Sequence, residues 1–407
     1  MKGEFFALYF LALLVFTLSC SKTPESGSSS SSSSSVSSSS SLSVCFAKTY
    51  GGSDWDWASF TRQTSDGGYI VGGHTKSFGA GNYDCWILKL DSSGVIQWQK
   101  AYGGTDNDYL YSIQQTSDGG YIVGGYTKSF GAGNYDCWIL KLDSSGVIQW
   151  QKTYGGSDVD YAFSIQQTSD GGYIVAGETK SFGIVTNDCW IIKIDSNGVV
   201  QWQKTYGGSD EDYVVSIQQV SDGGYIVGGY TKSFGAGNYD CWILKLDSSG
   251  VIQWQKTYGG SYEDLAYSIQ QISDGGYIVG GYTRSFGAGN YDSWILKLDS
   301  SGVIQWQKTY GGSDEDVAYS ILQTSDGGYT VGGLTKSFGA GNYDWWILKL
   351  PSDGNLPNLS SNTLVTPSDT SCTTNDTSCT VNNTSASVVD TSCIVQDTSA
   401  IVQQQLP

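Results

Sequence analysis

The chain has 407 residues, with 21 Lys and Arg against 39 Asp and Glu and a formal charge of −18. That balance argues against nucleic-acid binding, because displacing counterions from phosphates needs clustered cations. One His and one Met leave little material for imidazole or thioether metal chemistry, while 54 Gly, 28 Tyr and 14 Trp favour many short strands joined by tight turns.

In chain order, Lys2 precedes the apolar run Phe5 to Leu18 and then Ser19-Cys20. The run is too short for a comfortable membrane span and ends on a small residue, so residues 1–20 read as an export signal. The stretch resembles the signal and lipobox of bacterial lipoproteins, with Thr17 where that family usually has Leu. The resemblance implies that Cys20 becomes the lipidated first residue of the mature protein. It also implies an outer-membrane or cell-surface destination, since Ser21 and Lys22 include no aspartate. The alternative is an ordinary secretory signal, with Cys20 incidental and the protein secreted. Residues 21–43 are mostly serine and read as a flexible tether.

The segment Lys48-Thr49-Tyr50-Gly51-Gly52 returns at Lys100, Lys152, Lys204, Lys256 and Lys308, a 52-residue period without slippage. An unbroken period of that length is the signature of a stacked or ring-forming architecture. Within the second copy, strand a runs from about Tyr109 to Thr116 and ends in the turn Ser117-Asp118-Gly119-Gly120. Strand b follows as Tyr121 to Thr127, strand c as Cys137 to Leu142, and Asp143-Ser144-Ser145-Gly146 turns the chain into strand d, Val147 to Thr153. Strands apolar on both faces need packing from both sides, which a ring of radial sheets supplies. The expected fold is therefore all-β, a six-bladed β-propeller of four-stranded antiparallel blades over residues 44–351. The sixth copy lacks a d strand, turning instead at Pro351-Ser352-Asp353-Gly354, while Val44 to Tyr50 aligns with strand d of the other copies. Closure of the ring by this N-terminal strand is the expectation.

The Gly-Gly pair of strand b followed by a strand Trp resembles the kelch repeat. The segment Leu90-Asp91-Ser92-Ser93-Gly94-Val95-Ile96-Gln97-Trp98 is similar to the tryptophan-docking motif of quinoprotein-type propellers, with one residue fewer before the glycine. The whole unit resembles bacterial secreted and lipoprotein propellers with near-identical blades. That resemblance implies the fold and leaves the function open, since propellers host unrelated activities.

Residues 352–407 carry a second, seven-residue pattern: Asp369-Thr370-Ser371, Asp376-Thr377-Ser378, Asn383-Thr384-Ser385, Asp390-Thr391-Ser392 and Asp397-Thr398-Ser399. It has no Leu seam for a coiled coil and reads as extended or disordered. Cys85, Cys137, Cys189 and Cys241 share one repeat position, which Ser293 and Trp345 fill in the other copies, so they read as small buried hydrophobes. The pairing of Cys45, Cys372, Cys379 and Cys393 is unreadable.

The d–a and b–c connections of a propeller share one face, and the variation between copies collects there. Candidate ligand-face aromatics are Trp55, Trp57, Phe78, Tyr83, Phe130, Tyr135, Phe234, Tyr239, Phe286, Tyr291, Phe338 and Tyr343; the alternative is that they cover blade tops. One Asp before strand a never changes: Asp56, Asp108, Asp160, Asp212, Asp264 and Asp316. Six such carboxylates form a candidate ring for a hard cation such as Ca²⁺, against the favoured alternative of turn-stabilising residues bonded to their own blades. A second fixed set, Asp84, Asp136, Asp188, Asp240, Asp292 and Asp344, opens strand c and poses the same choice. Catalytic signals are weak: His74 and Glu178 occupy a variable strand-b position, and no nucleophile elbow or glycosidase-like carboxylate pair stands out. The recurrent strand Trp residues read as inter-blade core. The expected function is a lipid-anchored, non-catalytic binding or adhesion module for a glycan, a peptide or another envelope protein. A structural envelope component without a discrete ligand and an extracellular glycan hydrolase are the alternatives.

Overall fold

The computed structural model describes residues 48–183, 187–339 and 342–356, together with 368–369, 373–376, 380–383, 387–390, 394–397 and 401–404. The signal with Cys20, the serine tether, Cys45, Cys372, Cys379 and Cys393 lie outside the described residues. Among those described there is no helix. Six antiparallel sheets form a six-bladed β-propeller, and their first strands line one central channel.

The second blade shows the unit: Asp108–Gln115, Tyr121–Thr127, Asp136–Leu142 and Ile148–Gly155, paired in that order. Its turns follow the expected chemistry, with Asp118 Oδ1 accepting the Gly120 N–H at 3.0 Å and Asp143 Oδ1 accepting from Ser145 and Val147. A bulge between Leu110 and Ser112 brings strand a hard against strand b. A Cβ on Gly125 would stand 1.9 Å from the Tyr109 carbonyl oxygen, which accounts for the glycine there.

Core forms between blades rather than within them. Ile70, Ile87 and Tyr102 of blade one pack with Leu110, Ile113, Tyr121, Trp138 and Leu140 of blade two, and similar clusters recur round the ring. Trp138, Trp190, Trp242 and Trp294 are fully buried, each stabilising by roughly 3 kcal/mol through the apolar area removed from water. The strand-d tryptophans do a different job: Trp98 is half-buried and donates its indole N–H to Ser144 O of the next blade at 3.0 Å. Tyr102 OH likewise donates to Gly146 O at 2.7 Å. The four repeat-position cysteines are buried, as expected of small apolar side chains.

The last blade differs from the expectation in its pairing. Among the described residues its sheet has three strands, ending at Asp344–Leu350, and no ladder joins it to Lys48–Gly51. The N-terminal strand does sit as a d strand against blade one, where Tyr50 OH donates to Gly94 O at 2.6 Å as Tyr102 does one blade on. Its outer edge pairs with Ile401–Gln404, as the other d strands pair with the tail, but its inner edge makes no ladder to Asp344–Leu350. Consequently Trp345 and Ile347 are 58% and 59% exposed, whereas their counterparts Cys137 and Ile139 are fully buried.

Among the described residues, the tail is extended strand over part of each heptad. Its four-residue strands add a fifth, outermost strand to blades two to four and to blade one, and a two-residue strand does the same on blade five. In sequence order the tail pairs with the outer strands of blades five, four, three, two and one, then with Lys48–Gly51. One register holds throughout: Asp369, Asp376, Asn383, Asp390, Asp397 and Gln404 stand opposite Lys308, Lys256, Lys204, Lys152, Lys100 and Lys48. The tail strands from Thr373 onward start seven residues apart, at Thr373, Thr380, Ser387, Ile394 and Ile401, so each heptad serves one outer strand. The tail is thus a belt, and the edges it covers would otherwise be open to pairing.

Candidate functional site on the loop face

The invariant Asp of each d–a turn is committed to its own surroundings. Asp108 Oδ2 accepts the Gly104 N–H at 2.8 Å and the Ser129 hydroxyl at 2.7 Å, and Oδ1 accepts from Thr127. Asp56, Asp160, Asp212, Asp264 and Asp316 repeat this set of partners. The backbone N–H of Asp108 donates to Tyr83 O of the preceding blade at 2.7 Å, so the same residue ties neighbouring blades together. These carboxylates act as turn staples, each turned into its own blade. Among the described residues no group of three or more His, Cys, Asp or Glu is placed to hold a metal ion.

The second acidic set is held less completely. Asp84 accepts the Gly81 N–H at 2.9 Å through Oδ2, while its buried Oδ1 has no partner. It faces Asp108 across Gly103, where a Cβ would meet Asp84 Oδ1 at 2.0 Å and Asp108 Oδ2 at 2.7 Å. Burial first, opposed by backbone N–H bonds and reinforced by the adjacent Asp of the next blade, pushes Asp84, Asp136, Asp240 and Asp292 up to about 6.

The candidate aromatics separate by residue type. Phe78, Phe130, Phe234, Phe286 and Phe338 lie on the core tryptophans of their own blades, with ring centroids 5.2–5.8 Å apart, and so cover blade tops. The tyrosines instead join a collar on the loop face. Tyr135 meets Tyr126 at 5.3 Å and Tyr161 of the next blade at 6.0 Å; Tyr83 meets His74 and Tyr109; Tyr239 meets Tyr213 and Tyr230; Tyr291 meets Tyr282. Lys76, Lys128, Lys232, Arg284 and Lys336 lie over Tyr83, Tyr135, Tyr239, Tyr291 and Tyr343 at 4.5–5.9 Å. Trp57 stacks on His74 at 6.3 Å, and Trp55 is 71% exposed beside it in the same turn.

Sequence reasoning missed the inner half of this collar. Tyr109 and Tyr213 of strand a, Tyr161 just before the strand a of its blade, and Tyr126, Tyr230 and Tyr282 of strand b were not among the candidate aromatics. The available signal was their inconstancy, since Trp57, Leu265 and Val317 share the first position and His74, Glu178 and Leu334 the second. Burial holds the His74 imidazole down to about 4, so it is neutral at physiological pH. Burial pushes Glu178 the other way, to about 7. Below the collar, Tyr111, Phe163, Val215, Tyr267 and Tyr319 line the channel, a cavity of about 420 Å³.

No family model matches the chain. It is 28% identical over 262 residues to the regulatory protein FlaEY of Caulobacter vibrioides, a match covering 60% of this chain. The chain spans about a quarter of that relative's length, with 25% of it covered. Among solved structures, a protein of unknown function from Bacteroides caccae is similar with a TM-score of 0.41 and 12% identity, over 70% of this chain and 90% of that one.

Proposed function

We propose that the protein is a non-catalytic binding module, carried at the cell surface by a lipid on Cys20, which contacts its ligand through the loop face. The observation that carries this reading is the collar: tyrosines from several blades, most of them half-buried, gathered round one channel mouth. Rigid amphipathic rings with a polar tip suit recognition at low entropic cost. Glycans, peptides and envelope proteins all present surfaces that such rings accept. The lipid and the serine tether would hold the ring clear of the membrane.

The test is binding of the chain from residue 21 onward to glycan and peptide arrays. Any hit is repeated with Tyr83, Tyr135 and Tyr239 each changed to Ala in one variant. Binding should fall about tenfold or more while the melting temperature changes little. Undiminished binding by the triple variant moves the site off this face.

A further inference from the structure

Blade three breaks the collar in two places. Glu178 stands where blades two, four and five have Tyr126, Tyr230 and Tyr282, and Asn187 stands where blades two and four have Tyr135 and Tyr239. Both replacements are more than nine-tenths buried, at 7% and 6% exposure. Each nevertheless has an acceptor atom with no partner, Glu178 Oε2 and Asn187 Oδ1. The Asn187 amide is oriented by its Nδ2, which donates to Tyr213 OH at 2.9 Å and to Glu211 Oε1 at 3.4 Å; an ionised carboxylate can only accept. Tyr213 connects the two positions, since its ionisation is opposed first by burial and then by the charge of Glu178.

Asn187 Oδ1 can only accept, and Glu178, pushed up to about 7 by burial, becomes a pure acceptor once a cation beside it ionises the carboxyl, so a ligand that brings N–H donors and a positive charge fits both. Two carboxylates, Glu178 and Glu211, favour a positive charge, and Tyr161 and Tyr213 supply aromatic rings beside them. We infer that this break in the collar receives the ammonium group of a peptide lysine, with Glu178 and Asn187 accepting its N–H bonds and Tyr161 and Tyr213 flanking its methylene stem. With Glu178 only 7% exposed, a slim unbranched four-carbon stem reaches it more readily than a sugar ring. Lys180 is a cation whose charge acts on Glu178, yet it makes no bond to Oε2. The lysine site deepens the binding-module reading and rests on it.

Calorimetry on the chain from residue 21 onward tests the site with three probes: N-acetyl-Gly-Lys-Gly-amide, the same peptide acetylated on the lysine Nε, and glucosamine. The free-amine peptide should bind about tenfold more tightly than its acetylated form. Glu178→Gln should abolish that preference. Glu178→Tyr, which installs the residue of blades two, four and five, should abolish binding without lowering the melting temperature, so loss of binding there is not loss of fold. Equal binding of the acetylated peptide, or an unchanged Glu178→Gln variant, overturns the proposal. Glucosamine binding without peptide binding overturns the lysine assignment in favour of an amino sugar. Array binding that depends on Tyr83 and Tyr239 but ignores the lysine probe sinks this site alone; absence of both sinks the loop-face reading as well.

Discussion

The chain contains two repeats, and they fold by different rules. The 52-residue unit carries its own instructions: turn residues at fixed offsets, alternating apolar positions, and a staple Asp with its Thr and Ser partners in the same blade. The seven-residue unit carries almost none. Four residues cannot make a sheet alone, and its Asp-Thr-Ser runs have no apolar face. It becomes strand only against the outer edge of a blade, in the one register that sets its acidic or amide residue opposite a lysine. One repeat is thus a folding unit, and the other is a template-reader whose structure belongs to its partner.

Removing the belt should break this comparison most visibly. A chain ending at Leu356 loses every tail ladder and the partner of Lys48–Gly51. Its melting midpoint in calorimetry should fall by roughly 10 °C, corresponding to a few kcal/mol for a domain of this size. An unchanged midpoint would show that the blades do not use the tail at all.

A smaller change separates reading from mere covering. One glycine inserted between Asp376 and Thr380 shifts the phase of the belt beyond blade four. Hydrogen exchange should then speed up at the outer strands of blades three, two and one, including Thr205, Thr153 and Ala101, and stay slow at Thr309 of blade five. Uniform protection would mean that the heptads do not need their spacing, because a one-residue slip normally reverses the faces of a strand.

A third test lies wholly within the 52-residue unit. Asp84, Asp136, Asp240 and Asp292 sit near 6 in the fold against an ordinary 3.8, so the native state holds more protons than the unfolded chain between those values. Stability should therefore fall as pH rises from about 4 to about 6 and level off above. Asp66, Asp118 and Asp170 work in the opposite sense. With Asp66 the Lys89 hydrogen bond is the largest cause, and with the other two burial is outweighed by bonds from Lys141, Lys193 and neighbouring groups, holding all three near 2. What they contribute is lost only at pH below about 4. Thermal melts should peak between these windows, and Asp136→Asn should flatten the upper slope. A midpoint that climbs between pH 5 and 7 would contradict the burial of this set.

How much of this was legible follows from the same contrast. Blade boundaries could be read to within a residue or two, because Asp118-Gly119-Gly120 and Asp143 to Gly146 dictate turns locally. The staple role of Asp108 was readable as a turn preference, since its partners lie in the adjoining turn and strand b. The split between Phe and Tyr was not, for both stand in one loop and only the fold decides that Phe130 reaches Trp138 while Tyr135 reaches the next blade. The chemistry of Glu178 was visible only as an oddity of the third copy, shared with Asn187 of the same copy; its setting also depends on Tyr213, which comes from the next blade. The belt was least legible, because nothing within a heptad names the edge it will meet.

The shared register has a consequence for how such a chain can change. Near-identical repeats invite unequal recombination, which would add or remove whole blades at a stroke. A ring that gained a blade would expose a bare rim unless the tail gained a heptad in the same lineage, and one that lost a blade would carry surplus tail. The belt therefore serves as a tally of blade number, written into the same polypeptide that it counts.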